Sequence, residues 1–215
     1  MELLASIFTL YRERAGWFLG LLGAHAALAA TAVALAGTLG LALGVAIAEH
    51  RRFAPLVIGV CNVCYTIPAI SLLGLLLPFL GIGNKTAVAA LVIYGMMPMV
   101  RNTYTGITGI DPDILEAARG MGSTRMQMLW RIKLPLAMGV ILTGLRSMVV
   151  MTISVGSIAS FIGAGGLGTA VFRGITMNNQ AMTFAGSLLI ALLALAADFV
   201  LGLAEKHYKK KRRMD

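Results

Sequence analysis

Residues equipped for chemistry are sparse in this chain, so their spacing decides what each could do. Gly163-Ala164-Gly165-Gly166-Leu167-Gly168 satisfies G-x-G-x-x-G, which can hold a dinucleotide pyrophosphate when it joins a strand to a helix. That use also needs an acidic residue about 20 positions further on. Here an apolar run precedes the glycines, Asn178 and Asn179 follow, and the nearest later acid is Asp198, inside another apolar run. A tight re-entrant turn, or close helix packing, suits Gly163, Gly165, Gly166 and Gly168 better. Cys61-Asn62-Val63-Cys64 is a lone C-x-x-C. Zinc would need two more ligands nearby, and thiol exchange a βαβ setting, so both cysteines read as small apolar side chains. No G-x-x-x-x-G-K-[ST] and no nucleophile–base constellation occurs. No catalytic, cofactor-binding or metal-ligating residue is therefore expected in this chain.

A short charged stretch points instead to a protein contact. Asp111 can cap a helix that begins with Pro112, whose missing N–H costs nothing at that position. The run from Asp113 to Arg119 favours helix, and Gly120 and Gly122 break it. Thr124 with Gln127 fits a capping box, so a second short helix should run to about Lys133 before Pro135. The expected product is a helix–turn–helix with Glu116, Arg119, Arg125 and Arg131 as charged handles.

The elements that must position this hairpin are membrane spans. Of 215 residues, 58% are hydrophobic and 13% charged, against roughly 25% charged in soluble domains. Residues 17–48, 53–84 and 86–100 contain no Asp, Glu, Lys or Arg, residues 134–172 only Arg146, and residues 174–204 only Asp198. A spanning helix needs about 20 apolar residues. This predicts an all-α polytopic membrane protein of about five spans, near 22–48, 55–80, 84–104, 136–161 and 182–204. The first stretch is too long for a signal peptide. Residues 1–21 read as an extracytoplasmic, interfacial segment, with a sixth span as the alternative. Residues 22–205 form the transmembrane body with the hairpin loop at 105–135, and 206–215 a basic cytoplasmic tail.

Charge sets the orientation. The net charge of +9 could suggest nucleic acid, but the basic residues sit at the ends of apolar runs, as the positive-inside rule requires. With the tail inside, thirteen basic residues are cytoplasmic, four (Arg12, Arg14, Lys85, Arg173) are outside, and Arg146 is in a span, which accounts for all 18. The hairpin then lies in the cytoplasm. Arg146 and Asp198, the two charges within spans, are expected to pair or to line the cytoplasmic vestibule, with separate snorkelling as the alternative.

Glu116-Ala117-Ala118, Gly122 and Ile132-Lys133-Leu134-Pro135 together resemble the EAA loop of ABC importer permeases. The resemblance covers roughly residues 20–205. It implies the type I importer permease fold, with Glu116, Ala117, Ala118 and Gly122 seated in a groove of an ATPase subunit. It also implies an ATPase dimer that binds the ATP and magnesium, a second permease copy or a sister permease, an extracytoplasmic solute-binding protein, and residence in a bacterial cytoplasmic membrane. Thr66-Ile67-Pro68-Ala69-Ile70-Ser71-Leu72-Leu73-Gly74 and Ser160-Phe161-Ile162 leading into the glycine turn look like the permeases for glycine betaine, choline and carnitine. The chain has Tyr65 where that pattern has glutamine. No fused binding domain is expected after the last span.

On this resemblance a solute delivered by the binding protein would pass between two permeases as ATP-driven closure pushes the Glu116 helix. Pro68 and Pro98 are candidate kinks, and Gly163, Gly165, Gly166 and Gly168 would lie beside the path, with Arg146 and Asp198 also candidates to line or gate it. Tyr65 and Tyr94 could brush a passing cation, while Tyr104 reads as an interfacial anchor. Methionine, ergothioneine or another amino-acid-like solute remains open as cargo. A channel or secondary transporter working without ATP is the alternative from another class, and it lacks a clear repeat or ion relay. A structural scaffold is a third, against which the docking hairpin argues.

Overall fold

A computed structural model describes residues 2–212, and for 211 and 212 the backbone alone; Arg213 and the end of the basic tail lie outside the described residues. The elements are α1 (Glu2–Glu13), α2 (Ala15–Glu49), α3 (Ala54–Thr66), α4 (Ala69–Leu80), α5 (Asn84–Thr108), α6 (Pro112–Gly120), α7 (Arg125–Met128), α8 (Leu134–Gly156), α9 (Gly168–Thr176) and α10 (Gln180–Arg212). No strand occurs among the described residues, as an all-α membrane protein requires.

The core is three helices thick. α5 lies between α2 and α8, and small residues let the backbones close in. Ala36, Gly40, Gly44 and Ala48 repeat every four residues along the buried face of α2. A Cβ on Gly44 would stand 2.5 Å from the Thr103 Cβ, and one on Gly144 of α8 would stand 2.6 Å from the Asn102 Cβ. Met99, Ile107, Ile141 and Met148 fill the space between these contacts. Tyr104 packs into this core rather than serving only as an anchor. Cys61 packs against Ile47, Ala54 and Val100, and both cysteines are free.

α2, the helix from Arg125 to Ile162, and α10 are each long and apolar enough to cross a bilayer. α5 is the central helix of the bundle, 25 residues long, or about 37 Å at 1.5 Å per residue. The second expected span departs from expectation. Residues 55–80 are not one helix: α3 and α4 meet at 100°. Pro68 has no N–H to donate and disfavours helix at the residue before it, so Ile67 and Pro68 are both extended, with ψ of 125° and 137°. Pro98, by contrast, lies within α5 without ending it.

Two boundaries also move. α2 begins at Ala15, so residues 15–21 belong to the spanning helix and the break falls at Arg14. α1 packs beside α10, where Ile7 and Phe18 join Ala170 and Ala185 in one cluster and the Tyr11 hydroxyl donates to the Ala185 carbonyl at 2.7 Å. Pro135 does not end the helix that precedes it. Residues Leu129–Lys133 widen into a π-turn, which moves aside the carbonyl that the proline ring would strike. The second hairpin helix therefore runs into α8 without a break.

Candidate functional site

The hairpin is built from local signals. The Asp111 carboxylate accepts the Asp113 N–H at 2.9 Å and Pro112 opens α6. Thr124 and Gln127 form the reciprocal capping box, with the Gln127 Oε1 accepting the Thr124 N–H at 2.9 Å. Between them α6 closes through Gly122. The Ser123 N–H donates to the Ala118 carbonyl at 3.1 Å and the Gly122 N–H to that of Arg119 at 2.9 Å, a Schellman arrangement that needs a left-handed residue. Gly122 supplies it with φ of +78°. Gly120 is still helical, so the chain reverses at the second glycine only.

Of the loop residues, Ala118 is buried while Glu116 and Ala117 are exposed. The hairpin also leaves large apolar side chains uncovered: Met121 is 80% exposed, Met126 64% and Trp130 63%, with Ile114 nearby in sequence. The Trp130 indole N–H donates to the Met126 sulfur at 3.0 Å, which steadies that surface. Lys133, at the hairpin's far end, pairs with Glu49 at the end of α2 at 2.5 Å. Displacement of the hairpin is thus tied to the end of a spanning helix.

At the break between α3 and α4, the Ile67 carbonyl is freed from the helix ladder. The Tyr94 hydroxyl donates to it, and the Tyr65 ring meets the Tyr94 ring edge-on at 5.9 Å. Tyr94 is buried; Tyr65 stays 45% exposed beside the break.

The glycine motif is a turn. A 3-10 stretch, Ser157–Ile162, leads into it, and Gly163, Gly165 and Gly166 take φ of +72°, +76° and +75°. Gly168 begins α9 and is a contact: its Cβ would lie 1.9 Å from the Ser157 carbonyl oxygen. Three glycines therefore provide left-handed backbone and the fourth provides room. Beneath them lies His25, which sequence reasoning missed. It is fully buried, its Nε2 is 3.0 Å from the Ile153 carbonyl, and its Nδ1 has no partner among the described residues. Gly166 lies directly over that nitrogen. The legible clue was a lone titratable group inside the charge-free stretch 17–48.

The two charges within spans come together. Arg146 donates through Nε to one Asp198 oxygen at 2.5 Å and through a terminal nitrogen to the other at 2.6 Å, a bidentate pair. Sequence reasoning missed Glu205. Its carboxylate, 8% exposed, accepts from Thr143 and Lys209 at 2.8 Å each and lies 3.6 Å from Arg146. The Glu205–Lys209 spacing of four on one helix was the available signal.

These features are distributed along a fold whose relatives are known. The family of the binding-protein-dependent transport system inner membrane component matches residues 36–211. The chain belongs to this family. The family resemblance runs through nearly the whole sequence in individual members. The glycine betaine/carnitine/choline transport system permease protein OpuCD of Bacillus subtilis (strain 168) is 39% identical over 207 residues, 96% of this chain and 90% of its own. The osmoprotectant import permease protein OsmW of Salmonella typhimurium is 42% identical over 194 residues, 88% and 90% of the two chains. A solved chain of the MetNI methionine ABC transporter, inward facing, matches with a TM-score of 0.84 over 91% of this chain and 98% of that one, at 20% identity. That last likeness concerns the fold, the type I importer permease, and not the cargo.

Proposed function

We propose that this chain is the membrane-spanning subunit of an ATP-driven importer for a small quaternary-amine osmoprotectant of the glycine betaine, choline and carnitine class. The observation that carries the reading is full-length similarity, near 40%, to permeases named for those solutes. ATP is hydrolysed on a pair of partner ATPase subunits, and an extracytoplasmic binding protein delivers the solute. Two permeases, identical or sister, enclose the path, and the C-terminus is cytoplasmic. The chain has no catalytic role of its own.

The geometry supports a division of labour. The hairpin carrying Glu116, Ala117, Ala118 and Gly122 is the ATPase contact, because it joins local rigidity to exposed apolar surface. The Lys133–Glu49 pair and the unbroken helix from Arg125 pass its displacement to α2 and α8. The break at Pro68 puts Tyr65, backed by Tyr94, beside irregular backbone, which is tolerated at membrane depth where it is buried or lines a cavity. An aromatic face there attracts a quaternary ammonium by about 0.5–2 kcal/mol. Gly163, Gly165, Gly166 and Gly168 shape the turn that faces the outer side, and the Arg146–Asp198 pair braces the middle of α8 against α10.

The test is uptake of labelled glycine betaine by the full complex in proteoliposomes with ATP inside, against methionine as the competing cargo. Betaine uptake that survives Tyr65→Phe and falls several-fold in Tyr65→Leu, with binding-protein affinity unchanged, is the expected result. Methionine uptake in its place would overturn the cargo assignment.

A further inference from the structure

A cavity of about 840 Å³ separates α6 from the cytoplasmic ends of α2 and α5. Arg51, Arg119, Arg125 and Lys133 line it. Lys133 is neutralised by Glu49, and the guanidinium groups of the three arginines have no hydrogen bond or ion pair with any described residue. All three arginines are exposed, so water screens them where no anion does, and guanidinium is the side chain best matched to a phosphate that replaces that water. Ile110, Leu115 and Met128 add some apolar lining to a mostly polar cavity, which suits the headgroup region of an amphiphile.

We infer that this cavity holds the phosphate headgroup of an anionic phospholipid from the cytoplasmic leaflet. Its position selects lipid over other anions. Ala48 and Glu49, on its rim, end the spanning helix α2. Next to Arg51, the Arg52 guanidinium lies 4.6 Å from the Phe53 ring centre, an aromatic–cation pairing that suits the membrane interface. The exposed Met121, Met126 and Trp130, proposed above as ATPase contacts, do not line the cavity. A headgroup bound between α6 and the span ends would set the resting position of the coupling hairpin. Membrane charge would thereby bear on coupling.

The test is phospholipid retention by the purified permease, alone and with its ATPase partners, after reconstitution into phosphatidylcholine vesicles with or without phosphatidylglycerol. Retained lipid is read by native mass spectrometry. Arg119→Gln with Arg125→Gln should lower phosphatidylglycerol retention about thirtyfold, the effect of losing two cations at a headgroup site. Lys206→Gln with Lys210→Gln, an equal charge loss elsewhere on the cytoplasmic side, should change it less than twofold. Equal retention by both variants overturns the assignment. Displacement of the lipid by inorganic phosphate would show a free-anion site and overturn it too. Lipid held by the permease alone but absent from the ATPase complex would assign the arginines to acidic groups of the partner, with the same consequence.

Discussion

Gly120 and Gly122 stand two residues apart in the hairpin, and substituting alanine at each should move its stability in opposite directions. Neither glycine has an atom within 4 Å of the place its Cβ would occupy, so packing contributes nothing and backbone conformation decides. Gly122 has φ of +78°, where an L-residue costs about 1–2 kcal/mol. Gly120 lies in α6, where alanine is more favourable than glycine by about 0.8–1 kcal/mol. The readout is hydrogen exchange of the Ser123 amide, bonded to the Ala118 carbonyl, in nanodisc-embedded permease without its partner. Gly122→Ala should lower protection about 5- to 30-fold and Gly120→Ala should raise it up to about fivefold, since 1.4 kcal/mol is tenfold. Gly122→Asn should lose less than Gly122→Ala, because asparagine tolerates the left-handed region. Equal effects at the two positions, or an asparagine as damaging as alanine, would refute the claim that Gly122 acts through its backbone.

Two further outcomes follow from packing and charge. Gly44→Ala brings a Cβ to 2.5 Å from Thr103 and 3.0 Å from the Val100 carbonyl oxygen; overpacking should cost about 1–3 kcal/mol. Gly59→Ala, with nothing within 4 Å, serves as the control in thermal unfolding in detergent. A double-mutant cycle on Arg146→Ala and Asp198→Ala should be non-additive, because the two groups share two hydrogen bonds; additive losses in the same assay would mean that each charge acts alone.

The parts of the fold governed by local rules were legible in the sequence. Asp111, Pro112, Thr124 and Gln127 cap the hairpin by side-chain contacts within three residues, and charge-free lengths marked the spans. What escaped depends on elements far apart in the chain. The 100° bend at Pro68 needs Tyr94, 27 positions beyond Ile67, to satisfy the freed carbonyl. Pro135 was a stop signal by propensity, and the π-turn over Leu129–Lys133 cancels it. The pairing of Arg146 with Asp198 followed from there being one charge in each of two spans, but Glu205 looked like the end of a span and proved to be tied to α8 through Thr143. His25 carried no motif; its importance comes from Gly166, 141 positions later by number.

The central claim is that the hairpin couples this permease to an ATPase. The most direct measurement is solute-stimulated ATP hydrolysis by the co-purified complex in lipid, wild type against Glu116→Ala and Gly122→Trp. Loss of stimulated turnover, with ATPase subunits dissociating or hydrolysing without transport, is the expected result. Normal transport by both variants, with no ATPase co-purifying, would contradict the account.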